Sequence, residues 1–232
     1  MLKGHSFTGS RGLSSPARRA DNEPANCRAA LASGFPAGYT GSMAFPQRYK
    51  AELMSAIDSI DLAKVEAAIE VLAKARDERR HIFTCGNGGS ASTASHFATD
   101  IVKGASFGRT DRFRIMALTD SLSTMTAYSN DVSYECVFVE QLKNFAEPGD
   151  VLIAVSGSGN SPNVLRAVEY ANSIGCHTIG LSGRDGGQLA KIAELNLQVN
   201  HAHMGRIEDG HLIMLHMIGY YFMEAEQARS RD

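Results

Sequence analysis

Two short apolar runs, each ending in a glycine- and serine-rich turn that leads straight into a helical pattern, constrain this chain more than any other feature. The first is His81-Ile82-Phe83-Thr84-Cys85, followed by Gly86-Asn87-Gly88-Gly89-Ser90. The second is Val151-Leu152-Ile153-Ala154-Val155, followed by Ser156-Gly157-Ser158-Gly159-Asn160-Ser161. A strand with no polar position is buried on both faces, as strands are in parallel sheets covered by helices. Further strand-like runs stand at Arg114 to Leu118, Cys176 to Leu181 and Leu195 to Val199. Helical stretches fall at 91–103, from about Ser121, near 134–145 and at 161–173, and a long amphipathic helix at roughly 207–226 closes the chain. A helical arm precedes the first strand. It comprises Ala51 to Ile60 and a second helix capped by Asp61, with Leu62, Val65, Ile69 and Leu72 on one face. This order of elements specifies an α/β fold with a parallel sheet flanked by helices.

Length and charge narrow the class. The 232 residues suit one sizeable domain, and a net charge of -2 gives no basic surface for nucleic acid. Residues 1–45 are rich in Gly, Ser, Ala, Pro and Arg and carry no apolar period, so they are set apart as an irregular leader before a domain at 46–232. Arg11, Arg18 and Arg19 beside Ser14 and Ser15 give a faint transit-peptide character, which Asp21 and Glu23 oppose. An upstream extension, a misplaced start codon and a cloning-derived leader all fit this segment, and Met43 would suit a translation start. Cys27, Cys85, Cys136 and Cys176 are widely spaced and form no CxxC pair. Reduced thiols in a cytoplasmic protein are expected, and no run approaches the ~20 apolar residues of a membrane span.

Both turns would sit at the carboxyl ends of parallel strands, where such sheets bind ligands. A helix N-terminus there presents unpaired N–H groups and partial positive charge to an anion. The hydroxyls of Ser156, Ser158 and Ser161 can add hydrogen bonds, and Gly157 lets the backbone come close. Neither turn is a Walker A loop or a GxGxxG dinucleotide fingerprint. Each alone reads equally well as a tight turn with a serine cap. Together in one sheet they point to a phosphate site.

A second constellation lies on two helices. His96 and Asp100, four residues apart, share one helix face. The last helix carries Glu208, Asp209, His211 and His216. Glu208 and His216 are separated by ~12 Å along an ideal helix, so both reach one point only with extended side chains or with Glu208 in the preceding loop. Two histidines and two carboxylates are a four-ligand set suited to zinc. Spacing alone is also met by ordinary core histidines.

Ser-Gly-Ser-Gly-Asn-Ser after a buried strand, preceded by Gly-Asn-Gly-Gly-Ser-Ala, resembles the sugar-isomerase (SIS) family, and within it the phosphoheptose isomerases, over roughly residues 46–226. That family carries His-Phe-Ala followed by two acids, matched here by His96-Phe97-Ala98-Thr99-Asp100. Its last helix carries Arg-Ile-Gln-Glu-x-His and a further histidine, matched by Arg206-Ile207-Glu208-Asp209-Gly210-His211 and then His216. The resemblance implies Zn2+ held by His96, Asp100, Glu208 and His216, with Asp100 and His216 as the acid–base pair. It places sugar contacts on Asn87, Gly88, Ser90, Asp120 and Glu208, and phosphate contacts on Ser156, Gly157, Ser158, Asn160 and Ser161. The implied reaction converts sedoheptulose 7-phosphate to glycero-manno-heptose 7-phosphate through an enediol. The implied assembly is a homotetramer with sites at subunit interfaces. Three positions depart from the family pattern: Asp100 replaces a glutamate, Glu208 a glutamine and Gly104 an arginine. Such changes would also suit an isomerase of another sugar phosphate. Because a carboxylate with a pKa near ~3.9 is a weak base, Asp100 is expected to be poorly solvated. Two rival readings come from the same family. One is a non-enzymatic adaptor that binds the bacterial replication initiator, which has no need of an acid–base and metal set. The other is a sugar-phosphate-sensing regulator, which would carry a DNA-binding segment absent here.

Overall fold

The structure, a computed structural model, describes residues 44–225. Its first half contains α1 (Phe45–Asp58), α2 (Leu62–Asp77), β1 (His81–Gly86), α3 (Gly89–Thr99), β2 (Arg114–Ala117), α4 (Leu122–Asp131) and α5 (Val139–Phe145). The second half contains β3 (Val151–Ser156), α6 (Pro162–Ser173), β4 (His177–Gly183), α7 (Leu189–Ile192), β5 (Leu195–Val199) and α8 (Met204–Tyr220). All strand pairs are parallel, in the order β2-β1-β3-β4-β5. β3 is central and buried at every position, as its unbroken apolar run requires.

Alternation along the strands divides the core in two. Ile82, Val151, Ile153 and Val155 point to one face, where they join Leu72 of α2, Phe97 of α3 and Ile207 and Met214 of α8. Phe83, Cys85, Leu152 and Ala154 point to the other, against Leu142 of α5, Val164 and Val168 of α6 and Leu189 of α7. α8 is pressed onto the end of β4 so closely that a Cβ at Gly183 would lie 2.5 Å from Ile207. Its start is tied to α1 by an Arg206–Glu52 ion pair at 2.7 Å and a Tyr49 hydroxyl that donates to Asp209 at 2.5 Å. That hydrogen bond, with burial, raises the Tyr49 pKa.

Several element boundaries differ from the sequence reading. α1 begins at Phe45, inside the segment set aside as leader, because Pro46 is tolerated in a first helical turn and does not mark a boundary. Residues 1–43 of that leader lie outside the described residues. Asp61 caps α2 as expected, accepting from the N–H groups of Ala63 and Lys64, but Leu62 is 58% exposed and leaves the apolar stripe to Val65, Ala68, Ile69 and Leu72. The helix after β1 changes at Asp100 into a π-helical turn, Asp100–Ala105. The stretch near 134–145 is a 3-10 turn, Tyr134–Cys136, and then α5. α8 begins three residues early and passes into a second π-helical turn, Tyr221–Ala225. Cys85, Cys136 and Cys176 are buried free thiols, and burial pushes Cys85 up to about 12, which makes it a poor nucleophile. Among the described residues no helix is long and apolar enough to cross a membrane.

Candidate active site

Strand order reverses between β1 and β3, and both glycine–serine turns emerge from that switch point. In the first turn Gly88 adopts φ 54, ψ -122, a conformation that side chains forbid. A Cβ at Gly89 would lie 2.8 Å from a carboxylate oxygen of Glu208, so Glu208 rests against the start of α3. Ser90 is buried in the first turn of α3. Asn87 is engaged by protein groups. Its carbonyl accepts from the Tyr134 hydroxyl and the Asn163 amide, each at 2.8 Å, and its own amide donates to Asn163 at 2.8 Å.

In the second turn the three serine hydroxyls converge. Ser156 Oγ lies 3.1 Å from Ser161 Oγ and 3.5 Å from Ser158 Oγ. Asn160 braces the turn, its amide donating to the Ser158 carbonyl at 2.9 Å and its oxygen accepting from Gln188 N–H at 3.0 Å. The segment Gly183-Arg184-Asp185-Gly186-Gly187 reads from sequence as a surface turn after a strand, with its place at the carboxyl end of the sheet leaving a substrate contact open. In the fold it buttresses this loop, since Leu189 N–H donates to the Gly159 carbonyl and Gly187 sits against the Ser158 carbonyl. Met204 closes over Gly157, where a Cβ would meet its sulfur at 2.5 Å.

His96, Asp100 and His216 meet between α3 and α8. The two Nε2 atoms are 3.0 Å apart, and Asp100 Oδ2 lies 3.3 Å from His96 Nε2 and 3.7 Å from that of His216. Two imidazole nitrogens and a carboxylate oxygen aimed at one point form a donor set that suits zinc, and all three ligand atoms fall within 4.8 Å of one another. Glu208 does not join them. α8 is continuous from Met204, so eight residues put ~12 Å between Glu208 and His216. Asp100 is half-buried and the histidines are open in the single chain, with side-chain exposures of 22%, 51% and 39% for Asp100, His96 and His216. Asp100 opens the π-helical turn, a deformation often found at functional positions.

Asp120 follows β2 and is exposed, held by the hydroxyl of Ser95, which is itself paired with Thr119 at 3.0 Å. At Gly104 the end of the Met223 side chain has moved in, and a Cβ there would lie 2.3 Å from its methyl group, an overlap that a shift of the flexible thioether would relieve. The thioether fills the volume in which the resemblance would place an arginine. His211 faces away from this cluster. It is buried, with Nε2 at 3.0 Å from the Ser182 carbonyl, and burial pulls its pKa down to about 4. It is a neutral tether of α8 to β4.

Tyr134, Asn163 and Met204 were not legible as site residues, and neither was the buttressing role of the Gly186–Gly187 turn. Asn163 in particular reads as an ordinary early-helix position.

Residues 47–183 match the SIS domain family. Over 174 residues the chain is 37% identical to a phosphoheptose isomerase of Geobacter sulfurreducens, covering 72% of this chain and 88% of that one. It is 40% identical over 158 residues to a phosphoheptose isomerase of Aliarcobacter butzleri, covering 66% of this chain and 81% of that one. The solved phosphoheptose isomerase of Neisseria gonorrhoeae superposes with a TM-score of 0.71 at 32% identity, covering 76% of this chain and 95% of that one.

Proposed function

This chain belongs to the phosphoheptose isomerase family of SIS-domain proteins, and on that premise we propose that it is an aldose–ketose isomerase acting on sedoheptulose 7-phosphate. The observation that carries the acid–base assignment is the convergence of His96, Asp100 and His216 on one point. An adaptor that binds a protein partner has no need of that convergence.

The isomerisation moves a proton between C1 and C2 through an enediol. Asp100 takes the proton from carbon and His216 serves the carbonyl and hydroxyl oxygens, with the roles exchanged in the reverse direction. The hydroxyls of Ser156, Ser158 and Ser161 and the start of α6 hold the phosphate. Asp120 and the remaining amide hydrogen of Asn87 meet sugar hydroxyls, and Glu208 stands at the mouth of the first turn. His96, Asp100 and His216 would hold zinc, which when bound polarises the oxygens at the reacting carbons. Glu208 is proposed as a sugar contact and not as the fourth ligand.

Turnover of sedoheptulose 7-phosphate by the purified protein tests the reading. Activity lost on chelation and restored by zinc is expected. A folded protein with no turnover in either state would overturn it.

The same reading includes a homotetramer whose sites are completed at subunit boundaries. Its support is the openness of the His96–His216 pair beside exposed Met217 and Tyr220 on α8, with exposed Phe45 and Met54 on α1. An acid–base pair left this open loses the water exclusion that strengthens its electrostatics, so a covering surface is required. Sedimentation equilibrium at micromolar concentration is expected to give four times the chain mass, and a monomer would contradict the assembly.

A further inference from the structure

We propose that Asn163 is a positioning residue that locks the first glycine turn to the second, and so fixes the spacing between the sugar-binding and phosphate-binding parts of the site. The proposal rests on the isomerase reading for what the two turns bind, but the tie itself is read from the fold.

Pairing of β1 with β3 ends at Gly86 and Val155, and beyond that register the two turns leave the sheet. Asn163 bridges them. It lies at the second position of α6, two residues past Ser161, and is 2% exposed. Val164 N–H donates to Asn163 Oδ1 at 3.0 Å, which fixes the orientation of this amide. Its Nδ2 then faces Asn87 Oδ1 and its Oδ1 faces Asn87 Nδ2, both at 2.8 Å, a reciprocal amide pair. Because Asn87 Oδ1 is thereby an acceptor, the Tyr134 hydroxyl must be the donor in its bond to that atom. The neighbours Val164, Ala167 and Val168 are apolar core residues, so packing alone would be served by an aliphatic side chain at 163. A buried amide is tolerated there only because all its polar atoms are matched. Its geometric effect is to hold Asn87, and with it the turn from Gly86 to Ser90, at a set distance from the serine hydroxyls.

Asn163→Asp tests this. The carboxylate keeps the acceptors for Val164 and Asn87 but loses the donor, and it turns an oxygen toward Asn87 Oδ1. Amide hydrogen exchange over residues 84–92 is expected to quicken by about tenfold, the effect of losing one buried hydrogen bond. Exchange over β3 should stay as it was. Inhibition by inorganic phosphate should persist, while kcat/KM for sedoheptulose 7-phosphate falls by about tenfold or more. If Asn163 acts through Asn87, the double variant with Asn87→Ala should be no worse than Asn87→Ala alone. Unchanged exchange over 84–92 would overturn the tie, and additive losses in the double variant would reduce Asn163 to a merely structural residue. Should Asn163→Asp fail to fold, Asn87→Asp removes a donor from the half-buried side and is read over 161–167, where unchanged exchange is equally fatal. No turnover by the unaltered chain is instead the failure of the isomerase reading, and the exchange result still decides the tie.

Discussion

Asp100→Asn is expected to lower kcat by about 10²–10⁴-fold while sugar-phosphate binding stays nearly unchanged, the range that loss of a positioned acid–base group produces. The amide has nearly the carboxylate's shape, so the π-helical turn and the packing of Ile101 and Ala105 beneath it should survive. What is lost is the ability to take a proton 3.3 Å from His96 Nε2 and 3.7 Å from His216 Nε2. The same carboxylate stands in the proposed zinc set, so the variant should be assayed with its zinc content measured and with added zinc. Low kcat at full zinc occupancy assigns the loss to proton transfer, whereas recovery with excess zinc would assign it to metal binding. His216→Gln should lose a similar factor, and the two losses should not multiply if the pair acts as one unit. Activity kept at full zinc in Asp100→Asn would remove Asp100 from the chemistry.

The second large effect is structural. Gly159 has φ +65, and a Cβ there would lie 2.1 Å from the Gly186 carbonyl oxygen. Gly159→Ala therefore combines backbone strain with overlap against another backbone, and the two together cost about 3 kcal/mol or more. For a domain of this size that lowers Tm by about 6–12 °C. Because the turn is pinned through Leu189 N–H and the Asn160 side chain, relief must come from splaying the serine hydroxyls apart, and inorganic phosphate should bind more than tenfold more weakly. Gly108→Ala is the control, since Gly108 has φ +75 and open space around its Cα, so it carries the strain without the overlap. A Gly159→Ala protein that melts together with the Gly108→Ala protein would show that the two turns do not abut as described.

What could be read from the sequence was what local pattern determines. The five strands stand where the strand-like runs stand, with ends displaced by at most two residues; for β1, β3 and β4 burial on both faces leaves few other positions, while β2 and β5, at the edges, show the alternation of a strand buried on one face. His96 and Asp100 were legible as a pair because an i,i+4 spacing survives in any helix. Their partnership with His216 and the family assignment of both turns came from resemblance, since spacing alone could not tell ligands from core histidines. Glu208 was named with the metal set from resemblance, and in the single chain its carboxylate rests against Gly89, apart from His96, Asp100 and His216; where it points depends on where α8 begins, and helix starts are poorly marked in sequence. The change to a π-helical turn at Asp100 has no local signal either, and neither does the filling of the Gly104 space by Met223. The ties made by Asn163 and by the Gly186–Gly187 turn were not legible for a different reason. Their partners, Asn87 and Gly159, lie 76 and about 27 residues away, and only the closing of the sheet brings them together.

The contact between Glu208 and Gly89 has a consequence for descent. The carboxylate rests in the space that a side chain at position 89 would enter. It is the free end of a flexible, partly exposed side chain, so a residue larger than glycine at 89 would turn it aside and is not simply blocked. The two codons, far apart in the gene, are thus coupled through the chemistry at the mouth of the first turn: a change at 89 re-aims the acid at 208, and a lineage can retune that mouth from either position.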